Sequence, residues 1–170
     1  MELSATGKAD MLAALDQARV NLICSRTGCI PLFEVLFPGE LVDTRASTLL
    51  IIGPGVDRFK DQKWSLAFDY FRGGRLLIAN IDALGLHYSV LRAFWRIVSE
   101  STAQYNVRLV TSTQSRECIH HAHVIFSDLA RHAPYNFRYH RLDEIDGQWK
   151  LVTYDQGTLE AAFDMDLEIR

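Results

Sequence analysis

The chain has 170 residues, of which 48% are hydrophobic and 23% charged, with a formal net charge of −3 and a pI near 6.0. These values describe a chain that buries a core, and they exclude a disordered segment or a strongly basic nucleic-acid binder. Arg131, Arg138 and Arg141 do cluster, but Asp128, Asp143 and Glu144 interleave with them, so a mixed solvated face is expected.

Cysteine usage and the N-terminus bear on compartment. Cys24, Cys29 and Cys118 form neither a CxxC pair nor an even disulfide framework, and each is expected as a buried free thiol. The opening residues, Met1 to Lys8, lack the basic-then-apolar run of a signal peptide. Apolar stretches such as Leu49 to Ile52 are too short to span a bilayer. The expectation is therefore one globular domain over residues 1–170 in the cytoplasm, with neither nucleic acid nor membrane as partner.

In chain order, Lys8 to Cys24 reads as an amphipathic helix. Met11, Leu12, Leu15, Ala18, Val20 and Leu22 supply its apolar stripe, and Gly28 suits a cap after it. Ile30 to Phe37 is apolar up to the turn signal Pro38-Gly39, and its length leaves helix and strand both open. Ser47 to Ile52 reads as a strand buried on both faces and stopped by Gly53-Pro54-Gly55. Val56 to Phe71 is helix or hairpin; alternation of Trp64, Leu66, Phe68 and Tyr70 before Gly73-Gly74 favours the hairpin.

Arg75 to Ile81 and Asn106 to Thr111 are two further strands. Between them His87 to Ser101 carries Val90, Leu91, Phe94, Trp95 and Val98 at helical spacing, which makes a βαβ unit. Glu117 to His132 is a helix with Cys118, Ala122, Ile125, Phe126 and Leu129 on one face. Phe137 to Leu142 and Trp149 to Tyr154 alternate around Asp146-Gly147, the signature of an antiparallel hairpin. Thr158 to Ile169 reads as a short helix followed by an edge strand. The expected fold class is α/β: one mixed sheet with helices packed against it, containing one βαβ unit and a C-terminal hairpin.

Histidine density is the unusual feature, since four of the six histidines are His120, His121, His123 and His132. On a helix His120, His121 and Asp128 lie along one side, so they are candidate metal ligands, and His121 with Asp128 a candidate acid–base pair. The helical zinc signature is absent, and a partly exposed polar face accounts for the same residues without chemistry. Gly53-Pro54-Gly55 resembles no phosphate loop, because Pro54 lacks a donor and neither phosphate-binding glycine pattern is present.

Asn80, Asp82 and His87 fall where the second strand ends and the βαβ helix begins, the edge at which open α/β sheets bind ligands. Asp82 and His87 are therefore candidate catalytic residues. A triad with Ser89 is disfavoured, since His87 and Ser89 are two apart and would not meet on a helix. No cofactor is expected.

Phe68 to Phe71 and Phe94-Trp95 are dense enough in aromatics to suggest a self-association surface. The leading expectation is a non-catalytic regulatory or protein-interaction domain acting as a homodimer. The alternative is a small-molecule- or metal-dependent enzyme with its site near His120, His121 and Asp128, or near Asp82 and His87.

Overall fold

The structure, a computed structural model, describes residues 3–25, 29–37, 68–69, 72–78 and 80–169. The expected strand Ser47–Ile52, the Gly53-Pro54-Gly55 turn and most of the Val56–Phe71 segment lie outside them, as does Gly28.

The chain enters through helix α1 (Ala5–Leu15), whose N-cap Ser4 accepts from the Gly7 N–H at 3.0 Å. The helix expected to run on to Cys24 stops here, and Val20–Cys24 is strand β1 with all five residues buried. Helical spacing misled because an apolar run buried on both faces has no solvent side to reveal its period. Ile30–Leu36 is helix α2, which settles the ambiguity there. Phe68 and Asp69 are helical rather than the hairpin expected for that stretch.

Strand β2 (Arg75–Ile78) ends three residues earlier than expected, because Ile81–Leu84 turns into a short 3-10 helix closed by Gly85 at φ 63°. Helix α3 (Tyr88–Tyr105) then leads to β3 (Arg108–Ser112), helix α4 (Arg116–Leu129) to β4 (Phe137–Ile145), and a hairpin to β5 (Gln148–Tyr154). Asp146 and Gly147 both have positive φ, 54° and 71°, the two-residue turn whose twist suits a hairpin. Helix α5 (Gln156–Asp164) follows. Among the described residues no strand comes after it; residues 165–168 are exposed, and Ile169 returns to the core, where it is buried and its carbonyl accepts from the Tyr139 hydroxyl.

The described strands form one mixed sheet in the order β2-β3-β1-β4-β5, an α/β architecture. β2 pairs parallel with β3, which realises the expected βαβ unit; β1 pairs parallel with both β3 and β4, and β5 runs antiparallel to β4. The crossovers β2–α3–β3 and β3–α4–β4 progress in one direction and put both helices on one face. There Val20, Leu22, Leu76, Ile78, Leu109, Phe137 and Tyr139 meet Leu91, Trp95, Ile119, Ala122 and Phe126. The connection leaving β1 goes the other way, and its α2 lies with α1 on the opposite face against Ile23, Leu77, Val110 and Leu142. Right-handed crossovers require this alternation of faces.

The first face is centred on aromatic packing. Trp95 is fully buried, edge-on to Phe94 at 5.0 Å and to Phe137 at 6.3 Å, while Phe126 stacks on Phe137 at 5.2 Å. Phe68, Phe94 and Trp95, expected as contact residues, are thus core residues.

Candidate functional site

Because β1 and β3 are neighbours whose following helices leave to opposite faces, the crevice beyond their carboxyl ends is the switch point of the sheet. Ser25 follows β1, and Thr113, Gln114 and Ser115 follow β3. The turn after β2 brings Asp82 to the same rim.

A hydrogen-bonded clamp fills this rim. The Asp82 carboxylate accepts from the Thr113 hydroxyl at 2.5 Å and from the Gln114 backbone N–H at 2.7 Å. Gln114 reaches across with its side-chain amide to the Ser25 carbonyl at 3.2 Å. Thr113 in turn accepts from the Ser115 N–H, and Ser115 caps α4 by accepting from the Cys118 N–H at 3.1 Å. Three loops are thereby joined through groups that sequence reading had left unassigned, Thr113, Gln114 and Ser25. Their signal was position alone, the residues just past a buried strand.

His87 is the N-cap of α3 and lies outside the helix proper. That frees its ring to bond the Ser89 hydroxyl at 2.9 Å, with the Ser89 N–H at 3.4 Å, so the expectation that these two residues cannot meet is corrected. No hydrogen bond joins His87 to Asp82 among the described residues. Beside them Tyr88 is 66% exposed, and its ring centroid lies 4.1 Å from that of His87.

The α4 histidines fall into separate surroundings. His120 and His121 line a shallow cleft of about 310 Å³ with Arg116, Glu117 and Phe163. Burial holds the His120 pKa below its ordinary value, with His121 and Arg116 adding repulsion. Asp128 sits two turns further along, 3.7 Å from Arg92 and 3.6 Å from Arg131. His123 is buried against Tyr135 and Phe163, with its pKa lowered chiefly by that burial. The helix thus places His120 and His121 together and keeps Asp128 with arginines instead. Among the described residues no group of three or more His, Cys, Asp or Glu side chains is arranged to hold a metal ion.

The most enclosed histidine is His140 on β4, fully buried. Its Nε2 faces Asn21 Oδ1 at 2.9 Å and its Nδ1 faces the Thr153 hydroxyl at 2.9 Å. The Asn21 amide donates to the carbonyls of Leu15 and Ala18, which fixes its oxygen toward His140 and makes Nε2 the protonated nitrogen. Burial, with Arg138 second, pushes the His140 pKa down to about 4. A neutral imidazole thus ties α1, β1, β4 and β5 together.

Comparison with known proteins found no matching family model, no matching curated protein and no matching solved structure. Among the described residues no helix is long and apolar enough to cross a membrane.

Proposed function

We propose that the chain is a non-catalytic regulatory module that works by protein contact, pairing with a second copy of itself in the cytoplasm. The observation that carries the reading is how the switch-point rim is used. Both Asp82 carboxylate oxygens hold the β3–α4 turn, and His87 is spent on capping α3. The large apolar side chain that the rim exposes, beside the polar Asp82, His87, Ser89 and Gln114, is Tyr88, a rigid ring with a polar tip, the side-chain type that anchors protein contacts. The buried thiols of Cys24, Cys29 and Cys118, none of them in a disulfide, suit a reducing compartment.

Light scattering coupled to gel filtration tests this over a wide concentration range. The native chain is expected to reach the mass of two protomers, and Tyr88→Ser, an exposed change that leaves the core intact, is expected to stay at one. A native chain that keeps the mass of one protomer at high concentration would overturn the reading.

A further inference from the structure

The sheet ends on β5, and no strand among the described residues pairs with its outer edge. Such an edge presents a row of N–H and C=O groups, which proteins blunt with short strands, prolines, bulges or charges. β5 runs for seven residues without proline, has no buried residue, and carries one charged side chain, Lys150. Alongside lies a cleft of about 540 Å³ between α1 and the hairpin. Successive turns of α1 line one wall through Thr6, Asp10 and Ala14, and consecutive hairpin residues from Gly147 to Leu151 line the other. Nine helical residues rise about 12 Å, and the four lining residues that belong to β5, Gln148 to Leu151, cover about 10 Å, so the cleft is a trough whose long axis follows the strand. Met11 is buried at its floor, with Trp149 and Leu151 half-buried beside it.

We infer that this trough takes an extended segment of another protein, which adds to β5 as a further strand and carries the pattern apolar–acidic–apolar. Main-chain hydrogen bonds to an open edge supply affinity, and alternate side chains supply selectivity. Every second partner residue faces the trough and covers Met11, Trp149 and Leu151. The residue between them stands opposite Lys150, whose ammonium makes no ion pair among the described residues, and an acidic side chain there is complementary. Asp10 on the helix wall is exposed and likewise makes no ion pair among the described residues; it repels an acid that faces the trough and so confines the acid to the Lys150 side. The site rests on the protein-contact reading above but uses a different surface from Tyr88.

Fluorescence anisotropy with a labelled heptapeptide tests it, with leucine, glutamate and leucine at the centre and threonines around them. The native chain is expected to bind this peptide and to bind the version with lysine in place of glutamate about tenfold more weakly. Lys150→Glu is expected to reverse that preference, and Ala14→Trp, which fills the trough from the helix wall, to abolish binding of both while circular dichroism stays native. No binding at millimolar peptide, or an unchanged preference in Lys150→Glu, overturns the site. Loss of the two-protomer mass in Lys150→Glu without peptide binding overturns it too, and gives the edge to a second copy. A failed titration with an intact, Tyr88-dependent dimer sinks this site alone; a monomer that binds the peptide sinks only the pairing.

Discussion

His140 is held neutral because each ring nitrogen has a fixed partner and no solvent reaches the ring. An unfolded chain protonates this side chain near pH 6.5, whereas the folded one does so only at about 4. Between those values the unfolded state binds the extra proton, so stability is complete above about pH 6.5 and drains away as pH falls toward 4. At pH 4.5 the loss from this one residue is about 2–3 kcal/mol. Urea unfolding at pH 7 and pH 4.5 checks it: the native chain is expected to lose that much more than His140→Leu, and equal losses would reject the account. The sequence drew attention elsewhere, to His120, His121 and His123, because their density was visible. His140 alternates with Tyr139 and Arg141 in a strand that reads as half-exposed. Its burial follows from helices covering both faces of the sheet, a tertiary property that no local pattern carries.

At the scale of elements, the clamp around Asp82 is what unites the ends of the parallel strands. Asp82→Ala removes the acceptor of the Thr113 hydroxyl and of the Gln114 N–H. The Gln114 N–H is exposed and can turn to water, but Thr113 is buried and its hydroxyl loses its acceptor, so the expected cost is about 2 kcal/mol, read as a fall of about 4–8 °C in the thermal midpoint. A drop several times larger would mean that the clamp holds the strand ends together rather than only tying their loops. The same elements show what periodicity reveals. The βαβ unit was legible because α3 buries the apolar stripe Leu91, Phe94, Trp95 and Val98 and leaves Arg92, Arg96 and Glu100 exposed opposite it, so its 3.6-residue period survives. The Asp-Gly turn was legible because few residues tolerate positive φ twice in succession. β1 was hidden because its five residues are buried on both faces directly after α1, and because its partners β3 and β4 arrive from far along the chain. The rim was half legible: Asp82 and His87 stood out as chemistry, while Thr113 and Gln114, which give Asp82 its role, looked like loop.

For the molecule as a whole, two helical layers over one sheet set how solvent and reagents reach the interior. Cys24 lies in β1, Cys29 precedes α2 and Cys118 belongs to α4, so the three thiols sample the central strand and both covering layers. Burial pushes the thiols of Cys29 and Cys118 up to about 12. At pH 8 about one molecule in ten thousand then carries the reactive thiolate at either position, against roughly a quarter for a thiol in water. Labelling with a thiol reagent is therefore expected only through opening of the fold, with all three cysteines reacting together and the rate rising with urea as the unfolded population rises. Mass spectrometry of partly labelled protein discriminates the outcomes. A bimodal pattern of unlabelled and triply labelled chains means that both layers and the central strand open as one cooperative unit. Early single labelling at Cys29 means that the α1–α2 layer opens by itself while β1 stays covered by α3 and α4. That second pattern would also expose the underside of the β5 trough, since α1 forms its wall, and it would make peptide capture there compete with opening of the layer.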